Sequence, residues 1–279
     1  MRLATALVRD EPRACLLDGD TALVTDLRDG LEAIRFAASD HGALRSRVVG
    51  EVPAVTVHLL APVPRPGKIF GSGINFIGHK DENPAARMPA EPGFFSKFPS
   101  SVVGPGADIV VPAPDAQVDY EVELAVVIGT PGRNIDAANA MSHVFGYTVI
   151  NDVSGRDVQF RPNQMDLGKG FDTFCPMGPW VVTADEVQDV THARLRSWVN
   201  GEPRQDATAQ QWIYSIPELI EHASRHLTLE SGDIITTGTP AGCGTFRNPP
   251  LWLAPGDEVV VAADIVGELR NRVVAGWNS

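Results

Sequence analysis

The chain has 279 residues, 43% of them hydrophobic and 21% charged, and a formal net charge of −12. That length allows one or two domains with a real core, and the composition is that of an ordinary soluble globular protein. The acidity works against nucleic acid and anionic membrane as partners, and no run approaches the ~18 apolar residues of a membrane span. The apolar stretch at the N-terminus is too short for a signal peptide, so the expected location is cytoplasmic. Cys15, Cys175 and Cys243 are odd in number and far apart, which fits neither a disulfide framework nor a zinc site. A small anionic substrate stays open, given a local positive patch such as a divalent metal beside a Lys or Arg.

Residues 1–62 read as a small α/β unit. Leu3–Val8, Cys15–Leu17 and Ala22–Val24 are strand-like runs, with Asp18-Gly19-Asp20 as a hairpin turn. Leu31, Ile34 and Phe36–Ala38 follow at helical spacing. His41 and His58 are isolated and read as structural. Three prolines between Ala61 and Gly67 make a stiff connector, which places a second domain at 63–279.

A strand resumes at Lys68–Gly71. The segment Gly71–Glu82 fails the dinucleotide fingerprint, because residue 76 is Phe rather than Gly. Asn75 can cap a short helix on which His79 and Glu82, three apart, share a face. A carboxylate beside an imidazole raises its basicity, as general-base chemistry uses, but an exposed structural pair has the same spacing. Pro84, Pro89 and Pro92 mark an exposed loop at 83–93 that could act as a lid. Phe94–Phe98 is an aromatic, apolar run with Lys97 inside it.

Asp119–Gly129 is the most informative stretch. Val122, Leu124, Val126 and Ile128 alternate with Glu121, Glu123, Ala125 and Val127, so the spacing predicts a strand with both glutamates on one face. That face turns apolar at Ala125, which predicts a strand covered on both sides. Two such close carboxylates call for protons or a cation, and a hard divalent metal suits oxygen-only ligands. Two solvated glutamates at a strand edge are the other reading.

His143–Ile150 is a further buried strand, followed by Asn151–Gln159. Ser154 and Asp157 have the spacing of a capping box. Asp152, Arg156 and Gln159 fall on one side as strand turns into helix. Asp152 is either a site residue at a strand end or a turn residue. Lys169 sits in a Gly-flanked loop, where a Lys is ordinarily solvated. Ser215-Ile-Pro-Glu218 starts a helix with a buried stripe of Ile216, Leu219, Ile220, Ala223 and Leu227, and leaves His222 and His226 exposed. Gly238–Gly244 could bring backbone N–H groups and the Thr239 hydroxyl to an anion, or be a plain tight turn; it lacks the Lys of a P-loop. With few helices after residue 67, this region reads as a mostly antiparallel β domain.

Five segments, in order, resemble the fumarylacetoacetate hydrolase superfamily. They are Gly-Ile-Asn-Phe-x-x-His-x-x-Glu (73–82), Asp-Tyr-Glu-Val-Glu-Leu (119–124), Asn-Asp-Val-Ser-x-Arg-Asp-x-Gln (151–159), Lys-Gly-Phe-Asp-Thr (169–173) and Gly-Thr-Pro-x-Gly (238–242). The resemblance runs from about Lys68 to Val274. It implies a mixed-β (α+β) fold, a twisted mixed β-sandwich or roll, often dimeric, with a small α/β N-terminal domain in many bacterial members. It implies that Glu121, Glu123 and Asp152 hold Mg²⁺ or Mn²⁺. His79 and Glu82 match a water-activating dyad on a lid, and Lys169 matches a lysine that holds substrate and stabilises enolate charge. Gln159, Gly238 and Thr239 match substrate contacts, and Arg156 matches a site-flanking arginine. Fumarylacetoacetase itself has a longer N-terminal domain and takes a fourth carboxylate from it; no counterpart occurs here. That departure favours the smaller acylpyruvase, decarboxylase and isomerase-like members; a homodimer is what the resemblance itself implies.

The implied chemistry is coherent. Three carboxylates leave about three of six octahedral positions for water and a 2-oxo acid. The metal would draw charge onto the keto oxygen as an enolate forms. Hydrolysis of a C–C bond would then use His79 and Glu82 to activate water, whereas loss of CO₂ needs no attacking water. Isomerisation or hydration of 2-hydroxymuconate-type diacids uses the same enolate without C–C cleavage. A non-catalytic metabolite-binding protein on the same fold is the reading from another class. Specificity is expected in the lid (83–96) and in loops around 160–168 and 205–214.

Overall fold

The computed structural model describes residues 1–78, 82 and 88–276. Most of the helix expected after Asn75, and His79 on it, lies outside the described residues.

The sheet is built around Val122–Ile128, every residue of which is buried. Val144–Asn151 and Ile234–Thr236 flank it, both antiparallel. On one side the sheet continues through Cys175–Thr183, Arg2–Val8, Glu11–Asp18, Thr21–Thr25 and Val48–Pro53. On the other it continues through Ile69–Ser72 and Phe94–Ser96. The N-terminal strands thus extend the same sheet, with Arg2 and Leu3 paired to Val182 and Val181. A second sheet runs Glu202–Thr208, Arg194–Val199, Glu258–Ala263, Gly267–Ala275, Asp108–Val111.

Side-chain alternation decides how these layers pack. Val122, Leu124, Val126 and Ile128 enter one core with Leu195, Val259 and Val261 of the second sheet. Ala125 and Val127 point the other way, into a core with Leu3, Ala14 and Ile34 of the N-terminal region. The central strand is therefore covered on both faces, and its polar residues are confined to its entry. Most pairings are antiparallel, but Ile234–Thr236 with Ile69–Ser72, and Gly267–Ala275 with Asp108–Val111, are parallel. The result is a mixed α+β fold.

Local signals held where they needed no distant partner. The helix Ile216–His226 has Pro217 in its first turn, and Glu218 Oε2 accepts from the Ser215 N–H and Oγ, both at 2.7 Å. Replacing Glu218 by Ala removes this reciprocal cap and should cost about 0.5–2 kcal/mol, measurable as a lower calorimetric Tm. Ile216, Leu219, Ile220 and Ala223 are buried, but Leu227 is 47% exposed. It is the C-cap residue, its backbone is extended, and it leaves the helical face. His222 is half-buried rather than exposed, with its ring 6.0 Å from that of Phe94.

The capping box expected at Ser154 and Asp157 does not form. Ser154 instead pairs with Asp119 in a two-residue strand, and its Oγ donates to the Asp152 carbonyl. Asp157 Oδ1 accepts from the Gln117 N–H, and Gly155 is the N-cap of the helix Arg156–Gln159. Among the described residues no helix is long and apolar enough to cross a membrane. The three cysteines are buried and unpaired.

Candidate active site

Register brings the acidic residues together. The antiparallel pairing of Val122 with Asn151 sets Asp152 beside Glu121, and the Asp152 N–H donates to the Glu121 carbonyl at 2.8 Å. On the other side Ala125 pairs with Thr236, so Gly238 arrives at Glu123 and its N–H donates to Glu123 Oε2 at 2.8 Å. Carboxylate oxygens of Glu121, Glu123 and Asp152 lie within 4.8 Å of one another, all three residues buried.

Buried cations surround this triad. Lys169 Nζ donates to Glu121 Oε2 and to Asp152 Oδ2, each at 2.7 Å. Arg156 Nη2 donates to Glu121 Oε1 at 2.6 Å and to Asp119 Oδ2 at 2.8 Å. Lys97 Nζ donates to Asp152 Oδ1 at 2.6 Å and to the carbonyls of Val153 and Lys169. Lys169 is 2% exposed, not solvated, and closes the helix Met165–Lys169 rather than lying in a loop. Its ammonium also faces the Phe95 ring, 4.8 Å from the centroid. Burial opposes the charge on Lys169, but Asp152 and Glu121 outweigh it and hold its pKa above the ordinary value.

The two glutamates are opposites electrostatically. Burial pushes Glu121 up, but Lys169 and Arg156 overcome this and hold its carboxyl well below the usual range. Among the described residues, none places a cation in contact with Glu123. Burial, then Asp152, then Glu121 push its carboxyl well above the usual range. The buried cluster sets the carboxylates Asp119, Glu121, Glu123 and Asp152 against the cations Lys97, Arg156 and Lys169. Among the described residues this leaves one carboxyl, Glu123, without a counter-ion. A hard, all-oxygen donor set with an uncompensated carboxylate fits Mg²⁺ or Mn²⁺.

Asp152 is fully buried beside Glu121, and Glu121 and Glu123 line a cavity of about 240 Å³ together with Arg156, Gln159, Lys169 and Thr239. Phe95, Phe160, Met165 and Phe246 supply its apolar walls. Arg156 and Gln159 meet directly, Nη1 to Oε1 at 2.8 Å. The Gly-rich turn does bind anions, but they are the protein's own carboxylates. Gly238 holds Glu123, Gly242 N–H donates to Glu82 Oε1, and Gly244 and Thr245 donate to Asp119. Burial raises the Glu82 pKa, with the Gly242 bond opposing it. His79, its expected partner, lies outside the described residues.

Three buried positions around the site left no usable signal in the sequence. Lys97 sits in an aromatic run, and nothing local says that it points inward. Asp119 precedes the Glu-x-Glu pair, but its role as the counter-ion of Arg156 needs the fold. Gln205 was expected in a loop, yet it lies on the strand Glu202–Thr208 and is 2% exposed.

Residues 68–274 match the family model for the fumarylacetoacetate hydrolase C-terminal domain. The chain belongs to the fumarylacetoacetate hydrolase family. It is 47% identical over 226 residues to the human mitochondrial oxaloacetate tautomerase FAHD2A, covering 80% of this chain and 71% of that one. It is 45% identical over 221 residues to the oxaloacetate tautomerase YisK of Bacillus subtilis (strain 168), covering 78% and 73%. Among solved structures, maleylpyruvate hydrolase from Sphingobium sp. SYK-6, in complex with manganese(II) and pyruvate, aligns at 33% identity and a TM-score of 0.82. That alignment covers 99% of this chain and 100% of the other. Every residue of the acidic and cationic cluster falls within the family-matched span. The N-terminal region contributes packing beneath Ala125 and Val127.

Proposed function

We propose that the protein is a divalent-metal-dependent enzyme that takes a 2-oxo diacid of the oxaloacetate class through its enolate, with keto–enol tautomerisation as the principal reaction. The observation that carries this is the convergence of Glu121, Glu123 and Asp152, two of which, Glu121 and Glu123, line a cavity that Lys169 and Thr239 also line. The names of the relatives with 45–47% identity favour tautomerisation over bond cleavage. The bound metal would supply Lewis acidity at the keto oxygen.

The remaining work falls to the chain. Lys169, kept as an ammonium by its carboxylate neighbours, stabilises negative charge and does not abstract a proton. Arg156 holds Glu121 in place and adds positive potential for an anionic substrate. Glu82, whose carboxyl burial holds above the ordinary value, is the candidate to accept and return the proton. The apolar walls limit water around the enolate.

Hydrolysis of an acylpyruvate is the second reading, favoured by the likeness to a maleylpyruvate hydrolase. It requires His79 with Glu82 to activate water, and tautomerisation does not. The purified protein should be assayed with oxaloacetate and with acylpyruvates, in Mg²⁺, Mn²⁺ and EDTA. Replacing His79 by Ala should leave oxaloacetate tautomerisation within a few-fold and remove any acylpyruvate hydrolysis, by roughly 10²–10⁴. Full tautomerase activity in EDTA would refute the metal-dependent reading, and turnover of any 2-oxo acid would exclude a pure binding protein.

A further inference from the structure

Gln205 is a buried amide with both ends occupied. Its Oε1 accepts from the backbone N–H of Val122 at 3.0 Å and from Ser197 Oγ at 2.9 Å. Its Nε2 donates to Thr239 Oγ1 at 2.7 Å and to the Pro240 carbonyl at 2.8 Å. The amide cannot be turned over. A backbone N–H can only donate, so Oε1 must face Val122; a carbonyl can only accept, so the NH₂ must face Pro240. The bond to Thr239 therefore has one direction, with the threonine oxygen as acceptor.

This fixes what the hydroxyl can do. Among the described residues, Gln205 is the hydrogen-bond partner of Thr239 Oγ1, and no protein acceptor takes the Thr239 proton. Thr239 is 4% exposed, and the space it borders is the cavity that Glu121 and Glu123 also line. With a lone pair engaged by Gln205, the O–H is left to donate into that cavity. The same amide clamps Val122, the residue between Glu121 and Glu123. One side chain thus holds the spacing between the acidic strand and the hydroxyl.

We propose that Gln205 is a positioning residue that commits the Thr239 hydroxyl to donate to an anionic oxygen of the bound 2-oxo acid. This rests on the function proposed above. It also identifies the hydroxyl as a selector: the site favours a ligand presenting a carboxylate or enolate oxygen at Thr239 and disfavours one presenting an N–H or O–H there.

The test uses the Mn²⁺-loaded full chain and oxalate, a planar dianion that mimics a 2-oxo enolate, with affinity measured by calorimetry. Thr239→Val should weaken oxalate binding by about 10- to 100-fold, the loss of one hydrogen bond to a charged group, and Thr239→Ser should retain it. Gln205→Glu keeps the acceptor for Val122 and Ser197 but loses the donor to Thr239, so the hydroxyl turns back toward the protein. It should weaken oxalate to a similar extent, and the double variant Gln205→Glu/Thr239→Val should bind no more weakly than Thr239→Val alone. Gln205→Met serves the same purpose if the glutamate variant does not fold. Native-like oxalate affinity in a folded Gln205 variant overturns the proposal, and so do losses that simply add in the double variant, which would mark Gln205 as structural. Failure of the native Mn²⁺ protein to bind oxalate overturns both this inference and the function beneath it. Oxalate binding that ignores these variants overturns the inference alone.

Discussion

Replacing Glu123 by Gln should raise the melting temperature of the metal-free protein and abolish its stabilisation by Mg²⁺ or Mn²⁺. Among the described residues, Glu123 is the carboxyl of the triad without a cation in contact, and burial with Asp152 and Glu121 raises its pKa. A carboxyl whose pKa rises on folding binds a proton as the chain folds. Its contribution is fully favourable below the unfolded value and is lost as pH rises through the folded value. Near neutrality Glu123 therefore works against the metal-free fold. A neutral amide of the same shape keeps an acceptor for the Gly238 N–H and gives its neighbours a donor. The expected gain is about 1–2 kcal/mol, at about 2–4 °C of Tm per kcal/mol. Removing a ligand should also lower kcat/KM by more than the roughly 10–100-fold typical of outer-shell partners. Thermal melts with and without Mn²⁺ check both halves. A lower metal-free Tm, or a retained Mn²⁺ shift, would contradict the charge account of the site.

Lys97→Met should have the opposite sign and a larger size. Lys97 is 2% exposed, and its ammonium serves Asp152 and two backbone carbonyls. Methionine replaces the stem and leaves Asp152 Oδ1 without its cation, in a cluster whose described carboxyls already outnumber its cations. Breaking a buried pair from one side costs about 3–5 kcal/mol, which lowers Tm by about 10 °C in a chain of this size. Asp152 also loses the contact that fixes its orientation, so metal affinity should fall by about 10–100-fold. Calorimetry and a Mn²⁺ titration read the two effects separately. A variant with native Tm would show that Asp152 is neutralised from elsewhere.

These expectations mark where sequence reading works and where it stops. The period-two pattern at Glu121–Ile128 is local, and so is the shared face of the two glutamates. The burial of Ala125 and Val127 was predictable because an exposed face would have stayed polar. The same local logic misjudged Ser154, Lys169 and Leu227. Pairing of Ser154 with Asp119 overrode its capping pattern, carboxylates far along the chain drew Lys169 inward, and the extended C-cap backbone took Leu227 off its stripe.

The sequence by itself determined the fold class, the family, and which side chains could form a carboxylate site, because strand periodicity and ordered motifs survive without coordinates. Tertiary structure alone decided that Asp152 meets Glu121, that Lys97 and Asp119 complete the charge balance, and that Gln205 reaches Thr239. Each of those contacts joins residues more than thirty positions apart. Their energy depends on register and on exclusion of water, and neither quantity exists until the sheets have closed over the site.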